Sequence, residues 1–455
     1  MTGPTPSRTD LQVSLPGGAV ESTQPLGLRL YRLMTRLARP AAGLVLGVRA
    51  RQGKEDPQRR GERLGYASGD RPSGLLIWVH AASVGEASSI LPLLETLRRR
   101  RPDIAMLLTT GTVTSARYVS SRLPPNVLHQ FVPLDSPVFV ARFLAHWRPW
   151  LAVFTEQEIW PNLVLETHAH GIPLALVNAR MSARSFSRWQ SHVDIARALF
   201  SRFAIVLAQN DVLAQRFHAL GAPRVHAVGN LKIEAPAPRI DDAAKRDLEE
   251  ALAGRPRLVA ASTHEGEEAI IAAAHRVLAR RHEGFCTIIA PRHPHRGTAI
   301  AAMLAAEGFR VAQRSAGELP GPSTDIYIAD TIGELGTFYA STSVALIGGS
   351  LVAHGGQNPI EAIRHGTVVL TGPSRFNFED AYCALLDADG AVLVSSARDI
   401  ADAVTRLHED PARLERVRLQ ASRALDAMAG ALDRTLAALH PLLPEPLSDA
   451  ARAPS

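Results

Sequence analysis

The chain has 455 residues, of which 46% are hydrophobic, and carries a formal net charge of +6. This length exceeds what a single hydrophobic core usually supports, so at least two domains are expected. The two cysteines, Cys286 and Cys383, have no CxxC partner, so neither a disulfide framework nor a thiolate metal site is indicated, and a reducing compartment fits.

The positive charge is concentrated at the start of the chain. Residues 1–65 contain eleven Arg or Lys and five Asp or Glu, an excess of six that equals the whole formal net charge of +6. The remainder of the chain is therefore neutral overall. Bulk charge does not predict a nucleic-acid-binding surface, and no nucleic-acid partner is expected.

Residues 1–24 form a leader that is rich in Pro, Ser, Thr and Gly, and this composition predicts disorder. The leader lacks the basic start, apolar core and small-residue cleavage site of a signal peptide.

Residues 25–65 are predicted to form a basic amphipathic segment. At 100° per residue, one side of the first helix carries Leu26, Leu30, Leu33, Met34 and Leu37 and the other carries Arg29, Arg32, Arg36 and Arg39. Pro40 ends this helix, and the apolar run that follows is too short to cross a bilayer. Such a helix can lie in the interface of an anionic membrane or dock on its own domain, and the two interpretations are compatible.

From about residue 70 the chain alternates apolar strand-like runs with helical patterns, which is typical of doubly wound α/β domains. The first series predicts strands at 75–80, 105–109, 151–154, 174–178 and 204–208, with helices at 86–100, 137–145, 160–170 and 211–220. A second series predicts strands at 258–261, 286–290, 325–329, 344–347 and 368–370.

A proline-rich segment at 234–242 separates the two series and resembles a linker. We therefore expect two Rossmann-like domains facing a cleft, at residues 66–235 and 236–440, followed by a tail at 441–455. Functional side chains should follow the carboxyl ends of the strands.

Two carboxylates follow strands of the first domain. Glu86 lies at a helix start just after the first strand, and Glu156 follows the strand at 151–154, with Glu158 close behind. A carboxylate in such a position can act as a general base, although an acidic residue at a helix N-terminus also has a purely structural use.

Basic side chains follow later strands of the same domain. Arg180 and Arg184 lie in a loop after the strand at 174–178, where guanidinium groups suit phosphate or carboxylate, and they are candidates for holding an acceptor. Lys232 is one of only three lysines among fifty basic residues. An ammonium group retained in an arginine-rich chain indicates a chemical requirement at this turn.

In the second domain the run IGGSLVAHGGQNPIEAIRHG, residues 347–366, has the pattern of a nucleotide site. Gly348 and Gly349 end a strand, and Asn358 and Pro359 open a helix that contains Glu361. Glycines allow close backbone approach, a helix N-terminus presents N–H groups to phosphate, and a Glu one turn in can accept from ribose hydroxyls. A tight turn that only packs a helix onto the sheet is the alternative.

Two patterns suggest metal sites only weakly. His293 and His295 form a single i, i+2 pair without carboxylate partners. Asp387 and Asp389 form a D-x-D, but Gly390 and an apolar run follow, so a turn is the favoured interpretation. No metal and no cofactor is expected.

Together these motifs resemble the 3-deoxy-D-manno-octulosonic acid (Kdo) transferases of lipopolysaccharide synthesis. The blocks that carry the resemblance are IWVHAASVGEA, TEQEIWPNL, NARMSARS, GNLKIE, ASTHEGEE, PRHPHR, IGEL, GGSLVAHGGQNPIEA and GPSRFNFED. The resemblance runs from about residue 26 to residue 440 and does not cover the leader.

The resemblance implies an inverting GT-B glycosyltransferase. Such an enzyme moves Kdo from the donor CMP-Kdo to the lipid A precursor (lipid IVA) at the cytoplasmic face of the bacterial inner membrane. With the basic amphipathic segment, this predicts that the chain meets the anionic membrane surface either peripherally or through an N-terminal anchor. It also implies that the first domain binds the acceptor and the second binds the CMP-sugar.

Residue roles follow from the same resemblance. Glu86 matches the general base, and Glu156 and Lys232 match residues that stabilise the transition state. The implied CMP contacts are Pro291, Arg292, Ile332, Gly333, Glu334, Asn358, Pro359, Ile360 and Glu361. Two rival functions share the architecture: a GT-B enzyme that uses a UDP-sugar, such as an epimerase, and a non-catalytic nucleotide-binding protein at a membrane.

Overall fold

The computed structural model describes residues 24–445, and the predictions for residues 1–23 and 446–455 lie outside this range. The described chain forms two compact units. The first contains residues up to Ala235 together with those from Gly430 onward, and the second spans Pro236–Ala429. The predicted boundary at 235 coincides with this division, whereas the predicted boundary at 440 lies eleven residues beyond Ala429.

The first unit is built on one parallel seven-stranded sheet. Its strands are β1 (Leu75–His80), β2 (Ile104–Thr110), β3 (Val127–Phe131), β4 (Leu151–Thr155), β5 (Leu174–Ala179), β6 (Ile205–Ala208) and β7 (Val225–Ala227). The order across the sheet is β3-β2-β1-β4-β5-β6-β7. β1 and β4 are direct neighbours, and the chain winds outward from them in both directions. This is the doubly wound arrangement that the sequence predicts.

Helices cover both faces of this sheet. They are α1 (Leu26–Leu37), α2 (Ala42–Arg51), α3 (Arg60–Arg63), α4 (Val84–Arg100), α5 (Val113–Ser120), α6 (Pro137–Trp147), α7 (Pro161–Ala169), α8 (Ala183–Gln190), α9 (Val193–Phe200) and α10 (Asp211–Ala219). Two separate apolar clusters pack between these helices and the sheet. Because both faces are covered, the central strands read as continuous apolar runs.

The second unit repeats this plan. Its strands are β8 (Arg257–Thr263), β9 (Cys286–Pro291), β10 (Val311–Gln313), β11 (Ile326–Ile328), β12 (Val344–Ile347), β13 (Val368–Thr371) and β14 (Ala391–Leu393), in the order β10-β11-β9-β8-β12-β13-β14. Its helices are α11 (Asp242–Leu252), α12 (Glu267–Arg281), α13 (Gly297–Ala306), α14 (Leu335–Ala340), α15 (Ile360–Arg364), α16 (Glu379–Asp387), α17 (Ala397–Glu409) and α18 (Pro411–Ala427).

The last helix, α19 (Ala431–Leu439), belongs to the first unit. The carboxylate of Glu234 accepts the backbone N–H groups of Gly430 (2.8 Å) and Leu432 (2.6 Å) and so satisfies donors at the start of α19. Arg434 donates to the carbonyl of Val228 at 2.8 Å. The C-terminal helix is therefore fastened to the end of the first unit by contacts that the sequence pattern did not reveal.

Helix α1 docks on the first unit through a face that the amphipathic pattern did not single out. Leu28 is buried, the hydroxyl of Tyr31 donates to Asp135 (2.8 Å), and Arg32 pairs with Glu166 (2.6 Å). The apolar side predicted from the sequence, formed by Leu26, Leu30, Leu33, Met34 and Leu37, stays between 49% and 69% exposed. We call these five residues the α1 apolar face.

No helix within residues 24–445 is long and apolar enough to cross a membrane.

Candidate active site

The first cluster of functional side chains lies where the strand order of the first sheet reverses. β1 and β4 run side by side in parallel, so the loops that follow them meet at one edge of the sheet. Glu86 follows β1, and Glu156 and Glu158 follow β4. Ligands of open α/β sheets bind at this switch point between strands, so the sequence patterns converge where a site is expected.

Local hydrogen bonds hold the carboxylate of Glu86 in place. Ser83 caps α4: its hydroxyl accepts the backbone N–H of Glu86 (3.3 Å) and donates to the carboxylate of Glu86 (2.8 Å). The carboxylate also accepts the N–H of Ala82 (2.9 Å) and lies 3.0 Å from the hydroxyl of Thr155 at the end of β4. The side chain is buried, so its orientation is determined by these partners.

The surroundings of Glu86 favour its protonated form. Burial raises the pKa of Glu86, and the negative charges of Glu158 and Glu156 raise it further. The hydrogen bonds from Ser83 and Ala82 oppose this change but do not reverse it. A carboxylate whose pKa lies above its ordinary range is a stronger proton acceptor once ionised, as general-base catalysis near neutral pH requires.

Glu158 has the opposite character. Burial raises its pKa, but contact with His80, whose Nε2 lies 3.6 Å from Oε2, and a 2.7 Å hydrogen bond from the indole of Trp160 outweigh burial and lower the pKa below the ordinary value. The pKa values of Glu86 and Glu158 are thus displaced in opposite directions. Neighbouring carboxyl groups with separated pKa values are typical of acid–base sites.

Glu156 forms the centre of an ion-pair cluster. Its carboxylate lies 2.5 Å from the ammonium of Lys232 and 3.9 Å from the guanidinium of Arg180, and both Glu156 and Lys232 are largely buried. Glu156 has a φ of 52° and Asn178, at the end of the adjacent β5, a φ of 51°. Non-glycine residues in this conformation carry backbone strain, which is often concentrated at functional sites.

The structure therefore brings Glu86, Glu156 and Lys232 into one site, together with Arg180. Arg184 lies one turn further on, in exposed helix α8. Sequence reasoning noted Glu158 but did not choose it as a site residue, and it did not single out Thr155 or His80. Their position at the ends of β1 and β4 was the available signal, but only the strand order shows that these two ends are neighbours.

The second unit has its own switch point between β8 and β12, and the glycine turn lies there. The buried carboxylate of Glu267 accepts backbone N–H groups from His264 (2.8 Å), Gly349 (2.7 Å), Ser350 (3.1 Å) and Leu351 (3.0 Å). A Cβ on Gly348 would lie 2.4 Å from a backbone oxygen. The glycines thus shape a turn whose N–H groups bind a carboxylate of the protein itself.

Six of the nine predicted nucleotide contacts, Pro291, Arg292 and the run from Asn358 to Glu361, lie beside this turn. Asn358 accepts the N–H of Ile360 (3.0 Å) and donates to the carboxylate of Glu361 (3.2 Å). Burial raises the pKa of Glu361, while the bond from Asn358 and the positive charge of Arg292 oppose the increase. Arg292 is exposed and follows Pro291, the last residue of β9. In such a pair, the exposed guanidinium can bind phosphate and the carboxylate can accept hydrogen bonds from hydroxyls.

The remaining predicted contacts lie in a different network at the start of α14. Ile332 is 77% exposed, and Gly333 has a φ of 92°, which favours glycine. Arg314 binds Glu334 at 2.6 Å, and Thr331 also donates to this carboxylate. Arg314 was not predicted as a site residue. It follows the short strand β10, which the apolar pattern did not reveal.

His264 lies beside the glycine turn in a cluster of rings. It stacks on His354 with a centroid distance of 4.3 Å, and its Nε2 is 3.1 Å from the side-chain nitrogen of Gln357. Burial and then the neighbouring positive groups, His354 first, lower the pKa of His264 to about 4. The ring is therefore neutral at physiological pH and can take part in hydrogen bonding or stacking.

Of the weak metal patterns, His293 lies beside His264, with ring centroids 6.0 Å apart. Asp389 has a φ of 54° in the turn between α16 and β14, as predicted for the D-x-D. Within residues 24–445, no group of three or more His, Cys, Asp or Glu side chains is arranged to hold a metal ion.

Known proteins resemble this chain in amino-acid sequence as well as in fold. Residues 58–235 match the model of a family described as 3-deoxy-D-manno-octulosonic-acid transferase (kdotransferase). A probable mitochondrial 3-deoxy-D-manno-octulosonic acid transferase of Arabidopsis thaliana is 37% identical over 398 residues, which is 85% of this chain and 89% of that protein. The chain belongs to the 3-deoxy-D-manno-octulosonic acid transferase family.

A bacterial Kdo transferase extends the match over almost the full length of the relative. The 3-deoxy-D-manno-octulosonic acid transferase of Bordetella pertussis is 36% identical over 428 residues, 91% of this chain and 99% of that protein. The family resemblance seen in the motifs is thereby confirmed. The chain is an enzyme, a glycosyltransferase that transfers Kdo in lipopolysaccharide biosynthesis.

The fold comparison agrees with the two sheets described above. A glycosyltransferase from Rickettsia africae superposes with a TM-score of 0.57 at 10% identity, over 82% of this chain and 100% of that chain. Identity this low shows the fold alone. The prediction of a GT-B type α/β fold with two Rossmann-like domains is confirmed.

Proposed function

We propose that this Kdo transferase moves Kdo from CMP-Kdo to the lipid A precursor, lipid IVA, with inversion at the anomeric carbon and with Glu86 as the general base. The observation that supports this most directly is the buried, hydrogen-bonded carboxylate of Glu86 at the switch point of the first sheet. The identity of the transferred sugar follows from the chain's membership of the family.

The reaction in this proposal is a single displacement. The ionised carboxylate of Glu86 takes the proton of an acceptor hydroxyl, and the hydroxyl oxygen forms a bond to the anomeric carbon of Kdo. The bond from that carbon to the phosphate oxygen of CMP breaks, and its electron pair leaves with CMP. Attack from the face opposite the leaving group inverts the configuration of the anomeric carbon.

Lys232 and Glu156 have a supporting role in this proposal. CMP gains negative charge as it leaves, and an ammonium at a buried site stabilises such charge more strongly than it would in water. Glu156 lies 2.5 Å from the ammonium of Lys232 and holds it in place. Helix N-termini at the strand ends add further positive potential.

The second unit is the proposed site of the cytidine nucleotide. Arg292 and the pair Asn358 and Glu361 offer phosphate and hydroxyl contacts beside the glycine turn. The backbone at Pro291, Pro359 and Ile360 positions these side chains. A second set of nucleotide contacts is proposed at Ile332, Gly333 and Glu334. No metal is needed to hold the nucleotide in this proposal.

Product analysis tests the function directly. The purified enzyme is incubated with CMP-Kdo and lipid IVA, and the products are followed by mass spectrometry and by CMP release. We expect a mass increase of one or more Kdo units with a matching amount of CMP. A product without added Kdo would contradict the proposal. CMP should compete for the nucleotide site better than UDP, whereas preferential binding of UDP would favour a UDP-sugar enzyme.

We also propose that the enzyme lies peripherally on the cytoplasmic face of the inner membrane through α1. The α1 apolar face is exposed although the helix docks by its opposite side. Arg29, Arg36 and Arg39 are exposed on the same segment and can meet anionic lipid headgroups. A docked helix that still presents leucines and arginines to solvent suits a membrane interface.

Liposome flotation tests this location. Arg32 must be left unchanged, because its ion pair with Glu166 holds α1 in place. Vesicles of phosphatidylglycerol and phosphatidylcholine should retain the wild type and lose a variant with Arg29→Glu, Arg36→Glu and Arg39→Glu. A control with the same change of net charge in exposed residues of the second unit reverses Arg398, Arg413 and Arg416. Equal flotation of the two variants would exclude α1 as the membrane contact.

A further inference from the structure

A cavity of the first unit lies next to the carboxylate cluster and was not predicted from the sequence. Its volume is about 290 Å³, and the residues that line it are Gln157, Glu158, Ile159, Trp160, Met181, Ser185 and Trp189. The lining comes from the loop after β4, the loop after β5 and helix α8. Pockets for small molecules span roughly 300 to 1,000 Å³, so this cavity suits one sugar ring rather than a whole glycolipid.

One lining residue connects the cavity to the proposed base. Glu158 lines the cavity and follows β4, whose last residue, Thr155, donates its hydroxyl to the carboxylate of Glu86 at 3.0 Å. The indole N–H of Trp160 donates to Glu158 at 2.7 Å. The cavity therefore lies at the strand end that also contacts the proposed base.

The cavity wall is aromatic in a manner that suits a sugar. Trp160 is 47% exposed, yet its indole is oriented by the bond to Glu158 and by its place directly before Pro161 at the start of α7. The ring of Trp189 is held by an edge-to-face contact with Phe200, at a centroid distance of 5.4 Å. A half-exposed, oriented indole presents a flat apolar face to the C–H groups of a pyranose, while the neighbouring polar groups bind its hydroxyls.

The helix that forms one side of the cavity also carries positive charge. Arg184 and Arg188 are exposed on α8, each one residue before a lining residue, Ser185 or Trp189. Their spacing of four residues places both on one side of the helix. Such a pair suits an anionic substituent on the bound sugar.

Hydrogen bonds join the cavity wall to the α1 helix. The carboxylate of Asp135 accepts the hydroxyl of Tyr31 in α1 and the backbone N–H of Leu163 at the start of α7 (2.8 Å for each). The side chain of Asn162 donates to the hydroxyl of Thr35 at 3.0 Å. The helix that begins directly after Trp160 is thus fastened to the helix that carries the α1 apolar face.

We propose that this cavity is the acceptor subsite: it holds the sugar ring that receives Kdo, stacked on Trp160 with its reacting hydroxyl toward Glu86 and its anionic substituent at Arg184 and Arg188. This inference rests on the proposed function, because it assigns the glycolipid acceptor to a place within the same site. It adds that a soluble sugar headgroup, without its acyl chains, carries the determinants of acceptor binding.

The test compares acceptor binding in Trp160→Ala and Trp160→Phe, with two acceptors: the full glycolipid in detergent micelles and its deacylated, water-soluble headgroup. Loss of a stacked aromatic face is expected to raise the acceptor KM by about two- to twelvefold in Trp160→Ala, which is the fold-change that corresponds to about 0.5 to 1.5 kcal/mol of aromatic contact beyond burial. Trp160→Phe keeps a ring and should recover most of this loss. The KM for CMP-Kdo should stay unchanged in both variants.

A second variant fills the cavity instead of removing its wall. Ser185→Leu adds bulk at a partly exposed position of α8 and should abolish binding of the deacylated headgroup in isothermal titration calorimetry, while CMP binding in the second unit persists. An unchanged thermal unfolding transition of the first unit, which contains Ser185, shows that the variant is folded.

The outcomes separate this subsite from the proposed function as a whole. If the wild type transfers Kdo to lipid IVA but the Trp160 and Ser185 variants have wild-type acceptor KM values, the subsite is refuted alone. If the loss in Trp160→Ala occurs only with the acylated acceptor, Trp160 is a membrane contact and the subsite is likewise refuted. If the wild type transfers no Kdo to lipid IVA, the proposed function fails first.

Discussion

Replacing Glu86 with Gln is the sharpest test of the proposed base, because the structure makes the substitution nearly neutral for the fold. The amide oxygen of Gln can still accept the backbone N–H of Ala82, which lies 2.9 Å from the carboxylate in the wild type. The same amide oxygen, in the place of Oε2, still accepts from the hydroxyl of Thr155, and the amide N–H in the place of Oε1 can donate to the hydroxyl of Ser83, which reorients. Shape and hydrogen bonding are thus conserved, and only the proton-accepting ability is removed.

The magnitude follows from the role. A positioned general base contributes about 10² to 10⁴ in rate, which corresponds to about 2.7 to 5.5 kcal/mol of transition-state stabilisation. We expect Glu86→Gln to lower kcat by at least the smaller of these factors, with the affinity for CMP unchanged. The assay is CMP release with CMP-Kdo and lipid IVA, together with CMP titration calorimetry.

Glu86→Gln should lower turnover but raise the stability of the fold at neutral pH. The folded-state pKa of Glu86 is raised by burial and then by Glu158 and Glu156, so its protonated form stabilises the fold and its ionised form costs stability. The wild type loses this contribution as the pH rises from the ordinary carboxyl pKa through the raised value, whereas Gln carries no such charge. Glu86→Gln should therefore be as stable as the wild type at acidic pH and more stable at neutral pH.

A matched control is available in the same helix. Glu95 lies nine residues further along α4 and pairs with Arg98 at 2.9 Å on the surface. Glu95→Gln makes the same chemical change away from the site and should leave kcat unchanged. Turnover of Glu86→Gln within a few-fold of the wild type would refute the base role. Equal losses of turnover and CMP affinity would show instead that the substitution disturbs the fold.

Three further predictions concern the neighbouring residues. Lys232→Met leaves the buried carboxylate of Glu156 without its 2.5 Å partner and should lower the free energy of unfolding in urea by about 3 to 5 kcal/mol. Adding Glu156→Gln should restore stability but not turnover. Full recovery of turnover would contradict the catalytic role of Lys232. Glu158→Gln removes a charge that raises the pKa of Glu86, so the acidic limb of the kcat profile should move to lower pH, and an unmoved limb would rule out this coupling. Gly348→Ala places a methyl group 2.4 Å from a backbone oxygen and should cost about 1 to 3 kcal/mol in thermal or urea unfolding, whereas an unchanged midpoint would show that the turn adapts.

The parts of the fold that the sequence revealed are those buried on both faces. β1, β4, β5, β9 and β12 are continuous apolar runs in the centre of the two sheets, and their predicted bounds agree with the structure to within one residue. β3, β7 and β10 were not predicted. They lie at or next to the sheet edges, where partly exposed strands carry polar residues and lose the uniform pattern.

The candidate site was predicted through the same rule. Glu86, Glu156 and Lys232 each follow a strand or a strand-end turn, so the sequence could place each of them at one edge of a sheet. It could not show that Glu158 acts on Glu86, because the separation of 72 residues carries no information on distance. The adjacency of β1 and β4 determines that contact, and with it the raised pKa of Glu86.

Helix α1 shows the same division between pattern and packing. The 3.6-residue period determines that Leu30, Leu33 and Met34 share one side, and this is a property of the sequence alone. Which side meets the protein is a property of the tertiary structure. Asp135 and Glu166 offer hydrogen-bonding carboxylates to Tyr31 and Arg32, so the polar side docks and the α1 apolar face remains exposed. The periodicity of a helix determines its faces, but the partners that each face meets come from distant parts of the chain.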